Sequence, residues 1–388
     1  MTFGILVAMV RVDFLTHPHH RFTQSFDWLY QALGMEVRIL YGDSSTLESY
    51  LPSLASDPPR LLILFQLENL AAWASCFCPV LIFPMHDFTR LTPDSYLASL
   101  LRVEWVCFCR ALHHRLASLG LSSRYLQYAP DPQNFPQVSW DRPLRAFFWE
   151  RMPAEFDDRA AQSLLQSLGL RDLEVRKLDD ARFAPTHSRE GNSGVKGWGS
   201  RDEYLRKLSE FNIFFAPRRF EGLGLTVLEA MAMGLCVVAE DLPTANEYLL
   251  PLWNGILYRG DTQTIHPLSP LTQKQLSEMG NNARTTVQLI HQKWMNEREE
   301  IGQVVSRLCS LPCKPIRPPA GLLEATLKFD EHPEKLWKLG RTLHEPPQIW
   351  RSRRIESFAE QRRGLFGKIR WFLRSPRRCL QTLLERQG

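Results

Sequence analysis

Residues Asn212–Tyr248 read NIFFAPRRFEGLGLTVLEAMAMGLCVVAEDLPTANEY. The opening apolar run, closed by Ala216–Pro217, has the make-up of a buried strand, and two arginines and Glu221-Gly222-Leu223-Gly224 follow it. A helix is expected to begin near Leu225–Thr226 and to carry Glu229 about one turn in, before a second apolar strand at LCVVAED. Glycines at a strand-to-helix turn let backbone N–H groups approach a ligand, and a helix N-terminus adds the positive end of a dipole. That combination suits a diphosphate. Carboxylates beside a phosphate are unfavourable unless they bind hydroxyls, so Glu221 in the loop and Glu229 on the helix point to a sugar and a ribose.

Outward from this stretch, short apolar runs alternate with segments of helical period. Phe3–Met9, MEVRILYGD, Arg60–Leu67, Pro79–Asp87 and Val103–Cys109 read as strands of a first unit, with FTQSFDWLYQALG as a helix after the first. Tyr128–Pro143, with four prolines, breaks the rhythm and reads as a linker. The alternation then restarts with LRAFFW, AAQSLLQSLGL, LEVRKL, EYLRKLSEF, the stretch quoted above and NGILY. Leu271–Leu308 is expected to be helical. Strands that are apolar throughout, separated by helices, predict parallel sheets covered on both faces, with ligands at the carboxyl ends of the strands.

The long string around Glu221 and Glu229 closely resembles the E-x7-E region of retaining glycosyltransferases of the GT-B fold, family 4 among them; LEAMAMG, CVVAED and NEY continue the match. A glycine turn ahead of a core helix with two solvated glutamates is the plainer reading of so short a piece, and the length of the string decides against it. Weaker likeness extends over roughly residues 80–260. PMHDFTR resembles the loop that carries an active-site histidine, here His86; YAPDP resembles the interdomain hinge; FFWERMP places a phosphate-binding arginine at Arg151. The family usually carries a lysine about six residues after that arginine, where this chain has Asp157. Arg159, Lys196, Arg218 and Arg219 are the candidates to supply the missing charge.

The resemblance implies an α/β GT-B fold, with two Rossmann-like doubly wound domains facing across a cleft. The division expected is 1–135 (acceptor side), 136–320 (nucleotide-sugar side) and a basic helical tail, 321–388. It also implies transfer from a nucleoside diphosphate sugar to a carbohydrate or lipid-linked acceptor, with retention and without a metal or other cofactor. Glu221, Arg151 and His86 would carry the chemistry. The donor would lie against Glu229, Gly222, Leu223, Gly224, Leu225, Thr226, Arg218 and Lys196. Asn246-Glu247 would fall near the donor pocket, with a capping or turn role as the other reading. A nucleotide-sugar epimerase on the same fold and a scaffold that keeps the donor pocket without turnover are the alternatives.

The formal net charge is +5, but Arg351 to the C-terminus holds eleven Lys/Arg against three Glu, about +8, which leaves the rest near −3. GLFGKIRWFLR in that tail reads as a basic amphipathic helix, suited either to an anionic membrane surface or to packing back on the protein. No module for nucleic acid is present, and no apolar run reaches the roughly 18–20 residues that span a bilayer. The first residues lack the positive flank of a signal peptide, so eight cysteines suggest reduced thiols and a cytoplasmic setting, peripheral to a membrane if the tail binds one. Cys76/Cys78 and Cys107/Cys109 sit at strand spacing among bulky apolar residues and read as core rather than zinc ligands. His17, His19 and His20 form a loop that is either solvated or lines the acceptor side, and His113 and His114 read as helix residues.

Overall fold

A computed structural model describes residues 10–23, 26–177, 201–260 and 269–328. The strand expected over Phe3–Met9, Lys196 and the tail beyond Lys328 lie outside these residues. By its contacts the chain divides into residues 1–341, which hold all the described residues, and residues 342–388. All that follows concerns the first.

Its amino-terminal half is a six-stranded sheet built from β1 (Val12–Thr16), β2 (Arg38–Tyr41), β3 (Leu61–Phe65), β4 (Val80–Phe83), β5 (Val103–Cys107) and β6 (Ser123–Tyr125). The order is β2-β1-β3-β4-β5-β6, and every pair is parallel. A five-stranded sheet follows, from β7 (Ala146–Glu150), β8 (Leu173–Lys177), β9 (Ile213–Phe215), β10 (Cys236–Glu240) and β11 (Gly255–Tyr258). It is ordered β11-β10-β9-β7-β8 and is also parallel throughout. The all-buried patterns of β3, β4, β7, β9 and β10 explain their unbroken apolar runs, since helices cover both faces. The first described strand begins at Val12, three residues past Met9 and just beyond Arg11.

Each sheet reverses its direction of growth once, between β1 and β3 in the first and between β7 and β9 in the second. Open parallel sheets bind ligands outside the carboxyl ends of strands at such a switch point. Both switch points carry polar loops here: Thr16–His20 and Gln66 in the first, Arg151 and Arg218–Gly224 in the second.

The helix Leu225–Met233 is buried from Val227 to Met233, wedged between β10 and the 25-residue helix Gln273–Glu297. The proline-rich stretch is not a loose linker. Tyr128, Ala129, Phe135 and Val138 are buried, Tyr128 stacks on Trp28 at 3.8 Å, and Trp294 stands edge-on to both rings at 5.3 Å. Its prolines fix the backbone while its aromatic residues join the core. The helix Glu299–Ser310 packs on Asp27–Ala32 and β3, and Leu322–Leu327 packs on Ser44–Ser53 and Ala71–Ala74. These two elements thus return to the first domain. Cys76 and Cys78 are buried in the turn after Ala71–Ala74 rather than in a strand, so there the alternation reflected a turn; Cys107 ends β5 and Cys109 precedes the next helix.

Candidate functional site

β7 ends at Glu150, and Arg151 extends from that end with its guanidinium 4.8 Å from the Trp149 ring centroid. Beside it, β9 ends at Phe215 and the loop Ala216–Gly224 crosses the switch point. Gly224 stands at φ +77°, a left-handed conformation that disfavours any side chain with a Cβ, and it starts the helix at Leu225. Gly222 matters for space instead. A Cβ there would lie 2.9 Å from Asp87 Oδ1 and 3.0 Å from Met85 Cβ. The glycine turn is therefore pressed against the loop after β4 of the other domain, which carries His86.

That contact has several members. Arg218 Nη1 donates to Asp87 Oδ2 at 3.1 Å, and the Arg90 guanidinium lies 3.6 Å from the Phe220 ring centroid. His86 opens the short helix His86–Thr89 and is buried. Burial holds its imidazole below the ordinary value, Asp87 opposes this, and a hydrogen bond to the Glu221 backbone also opposes it. Beneath this loop Glu68 is fully buried, accepts from Thr89 Oγ1 and is pushed up to about 7 by burial. Its carboxyl braces the turn that presents His86.

The two glutamates of the motif occupy different surroundings. Burial raises the Glu221 carboxyl above the usual range while Arg218 and Arg151 pull it down, yet Oε1 has no partner among the described residues. Glu229 is buried too, and burial likewise raises it, but its Oε1 accepts from Arg201 at 2.7 Å. Leu223 is buried, Leu225 half-buried, and Thr226 Oγ1 is a buried atom without a partner. Four more atoms of that kind belong to the same loops: His86 Nδ1, Asp87 Oδ1, Arg218 Nε and Glu221 Oε1. Buried polar groups are nearly always paired in folded proteins, so such a cluster calls for an occupant.

A cavity next to the glycine turn is lined by Glu221, Gly224, Glu240, Thr244 and Tyr248, among others. Thr244 holds φ +76°, an unusual conformation for a β-branched residue and one that concentrates at functional sites. Asn246 binds Asp241, whereas Glu247 reaches into the first domain. It accepts from the Arg110 backbone N–H at 2.7 Å and from Tyr125 Oη at 2.9 Å. Glu247 therefore ties the domains together beside the cleft.

Asp157 caps the helix Asp158–Ser167, accepting from Ala160 N at 2.9 Å, and Arg159 pairs with it while its side chain is 90% exposed. Arg219 donates to both carboxylate oxygens of Glu240 through Nε and Nη2. In the first domain, His20 lies against Gln66, which has φ +59° after β3, and His17 and His19 approach each other at 2.6 Å. His20 is buried rather than solvated, whereas His113 bonds Ser123 on the helix Arg110–Ser118. Asp87 and Arg201 are the site members that sequence reasoning missed. Asp87 stands next to the singled-out His86, but nothing local links Arg201 to Glu229. Among the described residues, no group of three or more His, Cys, Asp or Glu is arranged to hold a metal, and no helix is long and apolar enough to cross a membrane.

Residues 174–266 match the sequence profile of a family described as glycosyl transferases group 1, a segment that holds both glutamates and the glycine turn. No curated protein matches the chain. Among solved structures it is similar to sucrose-phosphate synthase from Thermosynechococcus elongatus, at 14% identity and a TM-score of 0.51, over 77% of this chain and 99% of that one. It is also similar to a glycosyltransferase from Rickettsia africae (10% identity, 75% and 98% covered, TM-score 0.48). A third is HepE of Anabaena in complex with UDP-glucose (12% identity, 78% and 100% covered, TM-score 0.49). With its two parallel-sheet domains and helical carboxyl-terminal elements, the chain has the GT-B fold.

Proposed function

We propose that the protein transfers a sugar from a nucleoside diphosphate donor to a hydroxyl of a carbohydrate or lipid-linked acceptor, with retention of configuration and without a metal. One observation carries this reading. Five buried polar atoms without partners gather around a glycine turn and a helix N-terminus, at the switch point of the sheet, within the segment that matches the group 1 profile.

In this reading the diphosphate lies against the amides of Gly222–Thr226 and the Arg151 guanidinium. Glu221 takes hydroxyls of the transferred sugar with its unpartnered oxygen. Glu229 takes the ribose hydroxyls, and His86 closes over the sugar from the other domain. The bond from the anomeric carbon to the phosphate oxygen breaks as the acceptor oxygen bonds on the same face. The acceptor proton passes to the departing phosphate, so the protein supplies orientation and charge stabilisation rather than a strong base. A site at the switch point of the second sheet, closed by a loop of the first, excludes water from that step.

Calorimetric titration with UDP, GDP and ADP in EDTA tests the donor site, and turnover of the matching sugar nucleotides with and without candidate acceptors tests the chemistry. Micromolar binding of one nucleotide and acceptor-dependent release of it are the expected results. Release of an epimer without acceptor would establish the epimerase, and binding without any turnover the scaffold. No binding in EDTA would overturn the metal-free donor site.

A further inference from the structure

The position where a lysine is expected holds Asp157, so the reading above leaves one cation, Arg151, against a diphosphate that carries at least two negative charges. We infer that Arg218 is the second diphosphate-binding cation, and that Asp87 of the opposite domain is the counter-ion it holds until the diphosphate displaces it. This rests on the donor reading of the same site.

The geometry separates Arg218 from the other candidates. Arg159 points to solvent and is paired with the cap residue Asp157 at 3.0 Å. Arg219 is held by Glu240 through Nε and Nη2, a two-point pair that takes up that edge of the guanidinium. Lys196 lies outside the described residues. Arg218 is gripped at one point only. Its Nη1 meets Asp87 Oδ2 at 3.1 Å, while Nε is buried with no partner. Asp87 is half-satisfied in the same way, for its Oδ1 is buried and unpartnered as well. The side chains are 24% and 17% exposed, so the pair sits at the mouth of the site rather than in bulk solvent.

A guanidinium presents several N–H donors in a planar fork that matches phosphate oxygens two at a time. One carboxylate oxygen leaves most of that fork unused. Arg218 also shares the electrostatic surroundings of Glu221, Asp87 and Glu155, and Arg151 is close enough to repel it. Arg151 and Arg218 both lie in the field of Glu221 and Asp87, and only Asp87 bonds Arg218, so together they form a receptacle for an anion of higher charge. When that anion enters, the Asp87–Arg218 bond is exchanged, and Oδ1 and Oδ2 of Asp87 become available beside the reacting centre.

The experiment compares wild type with Arg218→Ala, Arg218→Lys and Asp87→Asn, and uses Arg159→Ala as the control. Each variant is checked by circular dichroism and titrated with UDP, GDP, ADP, their nucleosides and inorganic pyrophosphate. Arg218→Ala should weaken the diphosphate tenfold or more while the nucleoside is held as before, so the preference for diphosphate over nucleoside collapses. Arg218→Lys should recover part of it, and the control should match wild type. Asp87→Asn should tighten the diphosphate several-fold, because the competitor for Arg218 has lost its charge. An unchanged preference in Arg218→Ala, or equal loss of both ligands, overturns the inference; so does weaker diphosphate binding in Asp87→Asn. If Arg218→Ala does not fold, the Lys and Asn variants carry the decision. Arg218-dependent pyrophosphate binding without any nucleotide binding would keep the inference and remove the donor reading. Wild type that binds neither would remove both.

Discussion

The carboxyl edges of the two sheets serve the same cleft with opposite materials. After β7 and β9 the second sheet offers a glycine turn, a helix N-terminus, arginines and a carboxylate with a free oxygen. After β1, β3 and β4 the first offers histidines, a strained Gln66 and the buried Glu68 that braces the His86 turn. In the donor reading proposed above, one edge holds a fixed, charged group with its backbone. The other presents side chains on short turns, and their positions depend on contacts made beneath them. In the same reading, reactant position in the cleft is set by the second sheet and access by the first.

Four changes would sharpen or break this contrast. Glu221→Ala should lower turnover of the sugar nucleotide by roughly 100-fold, the scale of losing one preorganised contact to the reacting group. Nucleotide affinity should stay within about twofold. Steady-state kinetics beside calorimetry decide it, and equal losses would move Glu221 from the sugar to general donor binding. Glu229→Ala should raise the nucleotide dissociation constant by about tenfold or more, as expected for a hydrogen-bonded charged group; unchanged calorimetry would take Glu229 off the ribose.

Gly224→Ala should cost roughly 1–2 kcal/mol, because a Cβ is placed at φ +77°. A fall of a few degrees in the thermal midpoint is the expected reading, and none would show that the turn relaxes freely. The smallest effect belongs to the first edge. Burial lowers His20 from 6.5 to about 4, with the Gln66 hydrogen bond acting against it and His17 adding to it. A folded-state value below the unfolded one gives stability that is present above pH 6.5 and lost as pH falls toward 4. His20→Gln should flatten that acid limb by about 1 kcal/mol, seen as a shallower fall of the thermal midpoint over that window. An identical slope would mean that His20 opens to solvent before it charges.

The second edge was legible in the sequence and the first was not, for a physical reason. A strand, two glycines and a helix start within a dozen residues obey local rules, so the glycine turn and the onset of the helix followed from spacing. Glu221 and Glu229 were singled out by the resemblance to the E-x7-E region. Parallel sheets, two domains and most strands followed from uninterrupted apolar runs, whereas the order of strands within each sheet did not. Arg201–Glu229, Arg218–Asp87 and Glu247–Arg110 join residues brought together by tertiary packing, two of these pairs across the domains. No periodicity encodes such partners. Alternation also misled at Cys76 and Cys78, where a turn after a four-residue helix runs straight into β4 and mimics its pattern. His20 read as a loop residue because burial by Phe26 and Phe65 is a property of the packed sheet edge.

The polypeptide passes between the domains twice, once along the packed prolines near Tyr128 and again where the helix Gln273–Glu297 gives way to Glu299–Ser310 on the first domain. A body pinned at two points keeps one rotational freedom, about the line through the pins. Opening of the cleft about that line would retrace one arc and return His86 to the same place beside Glu221. Chain cleavage at either pin would release the other motions. Such a protein should keep both folded halves and lose the repeatability of their meeting.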